Sequence, residues 1–157
     1  FIGGVTREIQ SLGLPINEDG TWKTQLLCVA KDIINLLENE NNDIVYDRSI
    51  LDTKIYTDYI FCNSNFNREF TQVNEVVSRI FHLLRFSFDI IIWLRPEFKL
   101  EDDGVRSQNT LFQEEVDRGF EELIVVDNEN VYQLKGSLEE RVEQFKKIYD
   151  GKKSIRK

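Results

Sequence analysis

The chain has 157 residues, 41% of them apolar and 11% aromatic, which is enough for one domain with a substantial core and excludes a disordered composition. Its net charge of −8 sets the body against polyanions outside a specific site. The longest uncharged apolar run, residues 90–94, is strand-sized and far from a membrane span, and Arg7 and Glu8 interrupt the apolar run a secretory leader would need.

In chain order, residues 6–12 predict a short helix stopped by Gly13 and Pro15, and residues 17–20 a polar turn. A helix follows over 21–37, with Leu26, Leu27, Ala30, Ile33, Ile34 and Leu37 expected on its inward face. Residues 39–42 break it, and Ile44, Val45 and Tyr46 read as a short strand running into Asp47, Arg48 and Ser49. A second helical pattern carries Ile55, Tyr56, Tyr59 and Ile60, and a loop over 63–67 separates it from a third helix at 69–86. That helix turns Phe70, Val73, Val77, Ile80, Phe81 and Leu84 inward. Residues 88–94 form the strongest strand pattern, continuously apolar as in a parallel sheet covered on both faces.

Residues 99–104 are acidic and read as mobile, and 107–123 return to helical period through Leu111, Phe112, Val116 and Phe120. Residues 130–134 suit a last strand, and Ser137-Leu-Glu-Glu140 matches a capping box opening a final helix. Strands alternating with long helices imply βαβ crossovers, so the expected class is α/β with a parallel sheet. Residues 1–150 are read as one domain with a lid at 99–120, followed by a basic tail at 151–157. The last twelve residues hold six of the 20 basic side chains, a solvated terminus or a weak nucleic-acid contact. The chain contains no Met, and Phe1 starts inside a structured segment; a missing N-terminal piece accounts for both.

Several residue types carry candidate chemistry. Asp47, at the end of the 44–46 run, can hold Mg²⁺ or accept a proton from a hydroxyl attacking a phosphate, with Arg48 forked onto phosphate oxygens. The same pair is equally readable as a turn cap and its solvated ion-pair partner. Arg106, after the Gly104-Val105 hinge, and Arg118 can swing onto a transferring phosphoryl group. On a plain surface helix Arg118 would instead pair with Glu114 or Glu115. Arg7 and Glu8 can wall a substrate pocket, and Gln25 can read a base edge through its amide or simply face solvent.

Other chemistries fail the inventory. The segment Gly20-Thr-Trp-Lys23-Thr24 ends like a phosphate loop, but Glu18 and Asp19 precede it, Pro15 stands where the first glycine belongs, and no strand leads in. His82 is the one histidine, so no zinc cluster forms with Cys28 and Cys62, which read as buried or free thiols in a reducing, cytoplasmic setting. There is no G-x-S-x-G and no G-x-G-x-x-G.

Four stretches together resemble the P-loop kinase-like AAA-type ATPase domain family, which includes the nicotinamide riboside kinase domain of bifunctional NAD-synthesis regulators and relatives of deoxynucleoside and thymidylate kinases. They are Thr6-Arg-Glu-Ile-Gln-Ser-Leu-Gly-Leu-Pro-Ile-Asn17, Asp43-Ile-Val-Tyr-Asp-Arg-Ser-Ile-Leu-Asp-Thr-Lys-Ile-Tyr56, Phe88-Asp-Ile-Ile-Ile-Trp-Leu-Arg-Pro-Glu97 and Asp102-Asp-Gly-Val-Arg-Ser107. The resemblance implies a three-layer parallel sheet with flanking helices, a P-loop NTPase fold whose first strand and P-loop are absent from this chain. It implies a phosphotransferase using ATP and Mg²⁺ on a nucleoside, nucleotide or related small molecule, with an ATPase or regulatory module, or a non-catalytic relative, as the alternatives. Asp47 becomes the catalytic base or magnesium-linked carboxylate, Arg48 a substrate or phosphate contact, and Arg106 and Arg118 lid arginines. Arg7 then faces the acceptor.

Overall fold

A computed structural model describes residues 1–64, 67–97, 103–125 and 130–155. Six α-helices and a two-stranded sheet account for most of them. Ile2 forms a single parallel bridge with Tyr46, its N–H donating to Val45 O at 2.9 Å and its carbonyl accepting from Asp47 N–H at 2.7 Å. Gly4, at φ 83°, then turns the chain into helix α1, Val5–Ser11. A 3-10 turn at Asn17–Asp19 leads into α2, Trp22–Glu38, whose first turn is closed by reciprocal Thr21–Thr24 bonds.

Helix α3, Ile50–Asn63, opens on a second box: Ser49 N–H donates to Asp52 Oδ2 at 2.9 Å, and Ser49 Oγ accepts from Leu51 N–H. Asn67 caps α4, Arg68–Leu84, through Phe70 N–H at 2.7 Å. Strand β1, Ile91–Trp93, pairs in parallel with β2, Val131–Gln133, in the register Ile91↔Val131. Between them lies α5, Thr110–Val125, capped by Asn109 Oδ1. The Ser137–Glu140 capping box forms and opens α6, Leu138–Ile155, which runs on into the segment read as a tail.

The core is made of helix against helix. Val29 of α2, Ile50 and Leu51 of α3, and Val73, Val77 and Phe81 of α4 form one buried cluster, with Ile50 and Val77 fully sealed from solvent. Burying apolar side chains of this size stabilises by about 1.5–3 kcal/mol each. A second cluster sets α5 over α3 through Ile55, Phe112 and Val116, with Phe112 edge-on to Tyr56 at 5.4 Å and Tyr59 at 4.7 Å.

This architecture corrects the expected fold class. The α/β three-layer parallel sheet with flanking helices is not what forms: the described chain is mostly helical, and its one sheet has two strands. Residues 44–46 are too short and too exposed to make a ladder, with Val45 at 60% exposure, so they contribute only the bridge to Ile2. They do not share a sheet with β1. Nor is β1 buried on both faces; its three residues are half-buried and Leu94 is exposed, because its cover comes from few neighbours.

Helix α2 corrects a second expectation. Leu26, Ile34 and Leu37 face solvent, while Thr24, Gln25, Val29 and Asp32 are buried. Ile33 packs against the core as its spacing predicts, so periodicity found part of the inward face and missed the polar stripe that the helix also turns inward. In α5, Leu111 is likewise exposed. Of the expected lid, 99–102 lie outside the described residues; 110–120 belong to the packed α5. Part of the 63–67 loop and the last two residues of the chain also lie outside them. No helix among the described residues is long and apolar enough to cross a membrane.

Candidate functional site

The polar stripe of α2 faces a pocket of about 160 Å³. Thr24, Gln25, Cys28 and Asp32 lie at i, i+1, i+4 and i+8, which a 3.6-residue period places on one side of the helix. The first turns of α3 supply Asp52, Thr53 and Tyr56, and the N-terminus of α1 supplies Thr6 and Arg7. Asp47 and Arg48 stand exposed at the rim. Asp103, Val105 and Arg106 cross the opening.

The floor is buried and hydrogen-bonded. Thr53 Oγ1 donates to Asp32 Oδ2 at 2.6 Å. Thr57, fully buried one turn further along α3, reaches Thr53 O at 2.6 Å and Gln25 Oε1 at 3.0 Å. Burial pushes the Asp32 carboxyl up to about 6; the Thr53 bond works against the rise and Asp52 adds to it. Asp52 is raised as well, first by burial, with Arg48 opposing. The Cys28 thiol is pushed up to about 12, mainly by burial, so it stays neutral. Burial also raises Tyr56.

At the rim, Arg48 has φ 72°, a left-handed conformation that costs a non-glycine residue about 1–2 kcal/mol. That backbone directs its guanidinium to Thr6 Oγ1 at 3.2 Å and over the Tyr56 ring at 5.6 Å. Gly3 allows the close approach of Asp47, since a Cβ there would lie 3.0 Å from Asp47 Cβ.

The segment over the opening is fastened at four points. Asp103 Oδ2 accepts from Arg7 at 2.7 Å, Gly104 O from Gln10 at 3.0 Å and Val105 O from Asn17 at 2.6 Å, while Ser107 Oγ donates to Glu18 at 2.7 Å. Asp103 Oδ1 also takes the backbone N–H of Val105 and Arg106 at 3.0 and 2.9 Å. Those two bonds, then Arg7, hold its carboxyl down at about 2. Arg106 remains more than half exposed, 3.8 Å from Asp103.

The pocket therefore brings together Arg7, Gln25, Asp47, Arg48 and Arg106 from four places in the sequence. Gln25 does not face solvent; it is 3% exposed. Glu8 points away and pairs with Lys31 at 2.8 Å. Arg118 is exposed on α5 and does not line the pocket, nor does it pair with Glu114 or Glu115. Sequence reasoning missed Asp32, Asp52, Thr53 and Tyr56. The signal for the first was the spacing of Thr24, Gln25, Cys28 and Asp32; for the second, the Ser49-x-x-Asp52 box. Among the described residues, no group of three or more His, Cys, Asp or Glu could hold a metal ion. No family model matches the chain, and neither does a curated protein or a solved structure.

Proposed function

We propose that the pocket is the acceptor site of a phosphotransferase acting on a small polar molecule of the nucleoside or nucleotide kind. The observation that supports this reading is the convergence of three arginines and a rim carboxylate on one cavity with a hydrogen-bonding floor. An anionic group of the ligand meets Arg7, Arg48 and Arg106, whose guanidinium forks match phosphate oxygens. At the rim, Asp47 accepts the proton of an attacking hydroxyl.

At about 160 Å³ the cavity is smaller than the ~300–1,000 Å³ of pockets that enclose drug-sized ligands. It suits an acceptor of a few polar groups better than a whole nucleoside triphosphate. A donor such as ATP would approach from the rim. In its alternative role Asp47, instead of taking the proton, would be the single carboxylate on a magnesium ion that keeps most of its waters and takes its other ligands from phosphate. That ion would neutralise phosphate charge during transfer. Val105 and Arg106 close over the opening and limit access of water to the reacting group.

Transfer of radiolabelled phosphate from ATP to nucleosides and nucleotides by the full-length protein tests the reading. Acceptor-dependent labelling is expected, and Asp47→Asn is expected to abolish it while leaving the fold intact. Near-normal turnover in that variant removes Asp47 from the mechanism.

A further inference from the structure

Asp32 lies on the pocket floor at 8% exposure, with one side-chain hydrogen bond among the described residues, from the neutral Thr53 hydroxyl to Oδ2. A carboxylate buried this far is costly unless a cation faces it. The charged groups around it are Asp52 on α3, Asp47 and Arg48 before that helix, Arg7 on α1, and Asp103 with Arg106 over the opening. None of the arginines pairs with Asp32: Arg7 and Arg106 lean on Asp103, and Arg48 on Thr6 and Tyr56. Cys28 and Tyr56 stay neutral, since burial raises both.

Gln25 supplies a second, independent observation. It is 3% exposed and lines the same cavity; its Oε1 meets Thr57, and its Nε2 has no partner among the described residues. A buried glutamine bonded only through its amide oxygen, on the same helix face as a carboxylate held by one neutral donor, describes a floor with room for polar atoms that a ligand brings.

From these two observations we propose that the floor of the pocket binds a nitrogen cation, an ammonium or amidinium group, seated on Asp32, of a ligand that also reaches Gln25 on the same face of α2 and whose other end is the anion held by the arginines. The proposal rests on reading the pocket as an acceptor site and narrows the acceptor to an amine-bearing small molecule. An ammonium donates to the free oxygen of Asp32 and restores the missing charge. A further oxygen of the ligand accepts from Gln25 Nε2. Binding needs Asp32 ionised, so it is full well above pH about 6 and weakens as the pH falls through that value.

Phosphoethanolamine and its hydroxyl counterpart, ethylene glycol monophosphate, separate the possibilities when titrated into the full-length protein. The side-chain amide resonance of Gln25 is followed by NMR. Phosphoethanolamine is expected to bind at least about tenfold more tightly, a difference typical of one charge-assisted contact. That preference is expected to vanish in Asp32→Asn and to shrink as the pH is lowered from about 8 to about 5, through the raised Asp32 value. If Asp32→Asn does not fold, the pH profile of the unsubstituted protein decides. Equal binding of the two probes, or a preference that ignores pH, overturns the cation assignment and leaves the acceptor-site reading standing. If neither probe moves Gln25, both readings fall.

Discussion

Thr53 and Asp32 meet at 2.6 Å across the α2–α3 contact, hydroxyl to carboxylate, at the floor of the pocket. The carboxyl lies at about 6 instead of its ordinary 3.8, so the folded chain holds this proton more tightly than the unfolded one does. Stability tied to Asp32 is therefore full below pH about 4 and is lost as the pH rises to about 6. Asp32→Asn removes the charge and keeps an acceptor for Thr53. The variant is expected to be more stable than the parent by on the order of 3 kcal/mol at pH about 7.5, and equal to it at pH about 3.5. Urea unfolding at the two pH values measures this. A variant less stable at the higher pH would mean that the carboxylate is already compensated in the fold.

Asp103 titrates in the opposite sense. Its bonds from the backbone N–H groups of Arg106 and Val105, and then from Arg7, depress its carboxyl to about 2. What it contributes to fastening the segment is present above pH about 4 and is lost as the pH falls toward 2. Carbon-13 titration of the Asp103 carboxyl is expected to give a midpoint near 2 in the parent. In Arg7→Ala the midpoint should rise only part of the way to 3.8, because the two backbone bonds remain. An ordinary midpoint in the parent would mean that the segment is not fastened as described.

Gly20 ties the core to the floor of the site. A Cβ there would lie 2.7 Å from Ile60 Cδ1, 2.9 Å from Gln25 Nε2 and 3.0 Å from Asn17 O. Gly20→Ala is expected to destabilise by about 1–3 kcal/mol, the usual range for overpacking. It should also shift the Gln25 side-chain amide resonance. Unchanged stability together with an unchanged Gln25 signal would show that the corner has room to relax.

Much of the secondary structure was legible in the sequence because helical period and caps are local. Phe70, Val73, Val77 and Phe81 face inward in α4 as their spacing requires, and the Ser137–Glu140 box sits at the start of α6. The sheet was not legible in the same way. An apolar run such as 88–94 fits a strand whatever its neighbours, and only tertiary contacts decide how many strands share a sheet. For the site, the arginines and Asp47 stood out as charged residues beside glycine and turn signals. Asp32 did not, and Gln25 stood out for its amide but not for its burial, since in α2 the leucines and isoleucines carried the periodic signal while Thr24, Gln25 and Asp32 are buried beside Val29. A polar stripe facing inward makes sense only once there is a pocket for it to line.

The central claim is that the cavity between α1, α2 and α3 receives a phosphate-bearing reaction, and the rates of two arginine variants test it most directly. Arg106 lines the pocket and Arg118 does not. Steady-state transfer by the full-length protein is expected to show kcat lowered about 10²-fold or more in Arg106→Ala, the scale of losing one transition-state charge, and essentially unchanged in Arg118→Ala. Equal losses in the two variants, an unaltered kcat in Arg106→Ala, or no acceptor-dependent transfer by the unsubstituted protein would contradict it.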